Sequence, residues 1–286
     1  MSQPAIVTCA LTGVLTNPEQ HPVPVTPEQM AEAARQAWDA GATVVHIHFR
    51  DQRPGMGFLP TWDPDVAADI VDAIRAEVPQ ILINCSTGVV GDDISGPAGV
   101  LRRVKPEIAA MNSGSLNYLK TRRNGDWAWP PMLFDNPVSK IEAFLAVMDE
   151  VGAVPECECF DTGILRSVPM LQQRGLLKSP LHISLVMGVA SGMPAKAAWL
   201  PLLLDEVPQN ARWQTICIGR QDVWDVHRAS AELGGDVRTG LEDTFYLPNG
   251  ERASTNGALV EALVQTVRDS GRDVADIATT RAAYGL

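Results

Sequence analysis

The sequence predicts an α/β protein, a (β/α)8 TIM barrel forming a single catalytic domain over residues 1–286, and three observations predict it. Short β-like apolar runs alternate with helix-like stretches from one end of the chain to the other, the pattern of parallel strands joined by crossover helices. These units number eight, enough to close a sheet on itself. Polar residues recur at every second position near the ends of the runs, as inward-facing residues in the upper layer of a barrel should.

In chain order the strands are expected at residues 6–11, 43–49, 81–85, 108–112, 154–160, 181–187, 213–218 and 236–239, each followed by a helix. Thr26-Pro27-Glu28, Asp63-Pro64-Asp65 and Met193-Pro194 mark helix starts, with proline where a missing N–H costs nothing. Gly41, Gly152 and the pair Gly234-Gly235 stand where helices need a left-handed C-cap. No run rich in Pro, Gly or Ser divides the chain, which favours one domain over two. A doubly wound open sheet is the competing architecture, but Leu11-Thr12-Gly13-Val14-Leu15 does not match its glycine fingerprint after the first strand.

A formal net charge of −11 argues against nucleic acid and anionic membranes as partners, since both reward clustered Lys and Arg. The five cysteines, Cys9, Cys85, Cys157, Cys159 and Cys217, lie in apolar strand-like stretches and read as reduced core residues. Cys157 and Cys159 lack the second pair that a structural zinc site needs. The N-terminus has no basic n-region and reads as a first strand, and no apolar run approaches the ~20 residues that cross a bilayer. A cytoplasmic location is expected.

The alternation on individual strands carries the chemistry. Val45, Ile47 and Phe49 form one face of the second strand, and His46, His48 and Arg50 the other. On the third strand Asn84 and Ser86 share a face; on the fifth, Glu156 and Glu158 oppose Cys157 and Cys159. On the sixth, His182 and Ser184 oppose Leu181, Ile183 and Leu185, and after the eighth the same alternation runs through Arg238, Gly240 and Glu242. Imidazole, carboxylate and guanidinium groups are costly to bury unless paired or bound to metal. A catalytic metal wants three protein ligands and open positions, and two His plus one carboxylate is a common set. His46, His48 and Glu242 are therefore the expected ligands of a divalent cation, zinc first, with nickel, manganese or iron also open. His182 is a substitute ligand or a satisfied core histidine, and His21 and His227 read as peripheral. Asp243, next to a ligand, is left free to act as a base.

In these motifs the sequence resembles the β-keto acid cleavage enzyme family, typified by 3-keto-5-aminohexanoate cleavage enzyme. The likeness runs nearly full length through Thr12-Gly13, residues 44–51, Ser86-Thr87-Gly88 and Asn112-Ser113-Gly114-Ser115-Leu116-Asn117. It continues in Pro155-Glu156-Cys157-Glu158, Leu181-His182-Ile183, Gly188, Gly192-Met193 and Arg238-Thr239-Gly240-Leu241-Glu242-Asp243. The resemblance implies a Claisen and retro-Claisen exchange, in which a β-keto acid and acetyl-CoA become acetoacetate and a new acyl-CoA. It implies a metal on His46, His48 and Glu242 that is chelated by the keto acid, and a homo-oligomer, with a tetramer suggested. Asp243 matches the general base, and Arg238, Ser86 and Glu158 match a polar network beside it. Thr87, Gly88, Asn112 and Ser113 are implied substrate contacts. Arg238 and Glu158 also read as a buried packing pair, Ser86 as a turn cap, and the Gly188 to Gly192 loop as either a CoA contact or a tight turn.

The sequence departs from the type enzyme at the pocket. An acidic residue that meets a substrate amine is replaced by Val14-Leu15, Ala110 stands for a hydroxyl residue, and Val89 for a glycine. A different β-keto acid, without a positive amine at that position, is expected. Two other readings use the same residues. A metal-dependent hydrolase of the amidohydrolase type places its histidine pair on the first strand and needs further histidines; a non-catalytic metal-binding barrel has no use for Asp243 poised beside Glu242.

Overall fold

Eight parallel strands close into a barrel in the computed structural model, which describes residues 3–14 and 16–286. They are β1 Val7–Ala10, β2 Val44–Ile47, β3 Leu82–Cys85, β4 Ile108–Asn112, β7 Val154–Cys159, β8 His182–Met187, β9 Arg212–Cys217 and β10 Asp236–Thr239. Neighbours follow the order β1-β10-β9-β8-β7-β4-β3-β2, with β2 returning to β1. Between β4 and β7 the chain makes an antiparallel hairpin of β5 Leu116–Tyr118 and β6 Met132–Phe134. The alternation did not announce this hairpin: each strand is three residues long and β6 is largely exposed, so no buried stripe marks it.

Helices α1 Pro27–Asp39, α2 Pro64–Glu77, α3 Ser95–Val104, α4 Val138–Val151, α5 Thr162–Gln173, α6 Leu200–Leu204, α7 Val223–Glu232, α8 Asn256–Asp269 and α9 Ile277–Tyr284 complete the fold. Local chemistry sets their ends. Thr26 and Gln29 form a reciprocal capping box at α1, and Asp63 accepts from the amides of Asp65 and Val66 at α2. Gly41, Gly152 and Gly234 take φ of 114°, 79° and 92°, the left-handed stops expected of them. Met193-Pro194 does not start a helix. Met193 still bridges to Met187 and accepts from Gly188 N at 2.7 Å, so helical backbone begins only at the 3-10 turn Ala197–Trp199.

Burial divides the barrel by height. Outward aliphatics such as Val45, Ile47, Ile83 and Leu185 pack against the helices in one continuous core. Inside, Ile6, Val44, Leu82 and Ile108 form an apolar floor closed from below by Ala275 and Tyr284. Burying each large aliphatic contributes roughly 1.5–3 kcal/mol, so this floor stabilises the narrow end without polar help. His182 lies here, its ring stacked on Tyr284 at 4.2 Å. All five cysteines are buried and unpaired by disulfide, as core residues should be. No helix among the described residues is long and apolar enough to cross a membrane.

Candidate metal centre and active site

Above the floor the inward side chains become polar, because strand pleating carries every second residue of β2, β3, β7 and β10 to the axis. His46 ends this series on β2 and His48 follows just past it, their rings edge to face at 5.2 Å. Both direct Nε2 at Glu242: His46 Nε2 lies 3.8 Å from Oε2 and His48 Nε2 3.3 Å from Oε1. One ligand atom from each of the three lies within 4.8 Å of the others. A tetrahedral ion with ~2.05 Å bonds separates its ligand atoms by about 3.3 Å, so modest closure suffices. Glu242 Oε2 is buried without a hydrogen-bond partner, as an atom reserved for a cation would be. Burial pulls the His46 pKa well below its ordinary value, which keeps the imidazole in the neutral form that binds metal. These residues fit a divalent metal.

Glu242 reaches this point through backbone geometry. Gly240, at φ 150°, passes so close to β1 that a Cβ there would stand 2.0 Å from Ala10 O. Glu242 N then donates to Ala10 O at 3.3 Å, and Gly13 leaves room for the Glu242 side chain, since a Cβ there would meet Glu242 Cγ at 2.7 Å. Asn256, at the start of α8, accepts from Leu241 N at 2.9 Å and donates to Leu11 O at 3.0 Å, fixing the loop on its other side. Only an Asn following the capping Thr255 marked this position in the sequence, too common a pattern to single it out.

Beside the triad, Arg238 holds Asp243 in a fork, Nε to Oδ2 and Nη2 to Oδ1, both at 3.0 Å. Its Nη2 also donates to Glu242 Oε1 at 2.9 Å, and its Nη1 lies 3.8 Å from Glu158 Oε1. Burial opposes the guanidinium charge, but Asp243 and Glu242 outweigh it and raise its pKa, so Arg238 stays protonated. Burial pushes Asp243 up to about 6 against the pull of Arg238. Burial likewise lifts Glu158 to about 8. Shifted acids converging beside a possible metal site mark a reactive centre.

A family model described as beta-keto acid cleavage enzyme matches residues 4–286. The chain belongs to the β-keto acid cleavage enzyme family. It is 34% identical over 291 residues to "3-oxoadipate:acetyl-CoA acetyltransferase" of Cupriavidus necator, covering 100% of this chain and 96% of that one. It is 31% identical to "3-keto-5-aminohexanoate cleavage enzyme" of Fusobacterium nucleatum, over 96% of this chain and 95% of that one. The solved apo structure of ObcA shares the fold, with a TM-score of 0.73 at 20% identity, covering 92% of this chain and 65% of that chain.

The remaining positions that the family motifs suggested fall into two groups. Ser86, Gly88 and Asn112 cluster together: a Cβ on Gly88 would sit 3.8 Å from Ser86 Oγ, 3.9 Å from Asn112 Nδ2 and 3.8 Å from Phe134 Cζ. Phe134, from the unforeseen hairpin, thereby joins the site. Ser86 Oγ accepts from Gly88 N at 3.4 Å, so it does cap the turn. Thr87 and Ser113 differ. Their hydroxyls donate to the carbonyls of Ala110 and Met111, the latter at 3.2 Å, because odd positions on these strands face away from the axis. Their hydroxyls are thus engaged by strand backbone at the rim.

Arg50 donates to Thr12 Oγ1, Gly13 O, Thr16 O and Gly57 O, so it braces the β1 loop, and Asp51 pairs with the exposed Arg53. His182, down at the floor, is no substitute ligand. In the Gly188 to Gly192 loop, Gly188 N, Gly192 N and Met193 N donate to Met193 O, Val189 O and Phe160 O. With those amides engaged internally, the loop closes as a tight turn. Leu15 lies outside the described residues.

Proposed function

We propose that this protein, acting as one catalytic domain, converts a β-keto acid and acetyl-CoA into acetoacetate and a new acyl-CoA, with zinc on His46, His48 and Glu242. The observation that carries the reading is the meeting of the three ligand atoms with the Arg238–Asp243 fork at one point on the barrel rim. The names of the relatives support it, one pairing 3-oxoadipate with acetyl-CoA and the other naming the cleavage of a keto acid. The bound ion would supply Lewis-acid stabilisation of charge on the substrate's oxygens.

Asp243 takes the proton from the carbon between ketone and carboxylate, and Arg238 holds its carboxylate in the orientation to do so. The carbanion adds to the acetyl carbonyl, the CoA sulfur passes to the former ketone carbon, and the bond between that carbon and its carbanion neighbour breaks. Asp243 returns its proton to the acetoacetate carbon, so atoms and charge balance without another reactant. Arg238 and Glu158 meet charge on the oxygens as it moves, Arg238 as donor and Glu158 as its outer anchor.

The acyl group carries no ammonium in this reading. Val14 follows Gly13, which lies against Glu242, Phe134 puts an apolar ring near Gly88, and position 110 is an alanine. A panel of β-keto acids, incubated with acetyl-CoA and followed by mass, tests this: an uncharged or anionic chain is converted, and the 5-amino substrate is not. Amide or lactone hydrolysis without CoA would instead support a hydrolase. That type needs further histidines, and among the described residues the only group able to hold a metal is His46, His48 and Glu242, with no third histidine.

A further inference from the structure

Asn84 and Glu156 face the barrel axis directly below the metal centre, buried at 0% and 1% exposure, and the chemistry above uses neither. Asn84 is the register neighbour of His46 across β2 and β3. His46 presents Nε2 to Glu242, so its Nδ1 faces the other way, and that atom is buried without a partner. Asn84 Oδ1 is buried without a partner as well. Its Nδ2 donates to Glu156 Oε2 at 2.9 Å.

An amide can be seated either way round, but a carboxylate oxygen that accepts fixes it: Nδ2 must point at Glu156, which leaves Oδ1 for the histidine side. An imidazole that binds a cation through Nε2 carries its proton on Nδ1. That N–H and the orphaned amide oxygen, on register-paired residues, are a complementary donor and acceptor that a single hydrogen bond would satisfy. Glu156 Oε1 has no hydrogen-bond partner, and nearby Gln214 Nε2 donates to Ser184 Oγ at 2.9 Å.

We infer that Asn84 and Glu156 are positioning residues that fix His46 in its Nδ1–H tautomer, so that its Nε2 lone pair is always presented to the cation. The inference rests on the metal-centre reading above. It gives a purpose to a carboxylate buried deep in a barrel, which is otherwise a costly choice.

Competition between purified apoprotein and a chromophoric chelator for Zn2+ tests it, with circular dichroism confirming each variant's fold. N84L, which fills the volume but removes the acceptor, loses about 10–100-fold in zinc affinity. The double variant N84D/E156Q keeps an acceptor for His46 and supplies the donor from position 156 instead, so it recovers to within about threefold of the parent, as expected when coupled partners are exchanged together. A role in packing alone predicts near-parental affinity in N84L, which keeps the volume. Parental affinity in N84L, or a double variant that binds no better than E156L, overturns the inference. If N84L does not fold, E156L against N84D/E156Q carries the same comparison. H48A separates the two readings: if it binds zinc as tightly as the parent, the metal centre itself is wrong and this inference goes with it.

Discussion

Glu242 and Asp243 are adjacent carboxylates with different surroundings. Asp243 turns both oxygens to Arg238, whereas Glu242 turns one to Arg238 and leaves Oε2 unpartnered beside His46. The ligand and the base are separated by that difference. D243N therefore retains zinc, measured by elemental analysis, and loses about 10²–10⁴-fold in turnover of the keto acid; full activity removes Asp243 as the base. R238M leaves buried carboxylates without their cation, and breaking such a pair costs about 3–5 kcal/mol, which a denaturant titration reads directly. Much at this scale was legible: two histidines two residues apart on a strand, and a carboxylate pair after a glycine. The orientation of Thr87 and Ser113 was not, because a motif does not say which face of the strand each member occupies, and here their hydroxyls turn to backbone carbonyls.

The loop after β10 is the element on which the site depends. Gly240 is pressed against Ala10, and a side chain there collides with backbone that cannot yield. G240A is expected to lower the melting temperature and weaken zinc binding together, because moving the loop off β1 withdraws Glu242; parental stability and affinity in that variant would remove the loop from the account. The barrel strands and most helix ends could be read from period-two faces, proline and glycine. The hairpin could not, since β5 and β6 are too short to show a period, and Met193-Pro194 misled because an extended bridge to Met187 overrides the local helix signal.

Across the whole molecule, chemistry is gathered at one end of the barrel and stability at the other. Burial lowers both His182, at the floor, and His227, on the buried face of α7, to about 4 from an ordinary 6.5. The unfolded chain therefore takes up their protons first: their contribution is full above pH 6.5 and declines as pH falls toward 4. By pH 5 each removes about 2 kcal/mol. H227L, which replaces two buried nitrogens that have no partner, should flatten that decline in urea titrations at pH 7 and pH 5; an unchanged slope would show that other groups set it. The length and the alternating pattern made the barrel legible at this scale. The division of its interior by height was not, because Tyr284, which plugs the floor against His182, comes from a helix at the far end of the chain.

The most direct test of the metal centre is a diffraction experiment on zinc-loaded crystals, with data collected on either side of the zinc absorption edge. One strong anomalous peak is expected about 2.0–2.2 Å from His46 Nε2, His48 Nε2 and a Glu242 oxygen. A peak located elsewhere, or none in protein shown to contain zinc, would contradict it.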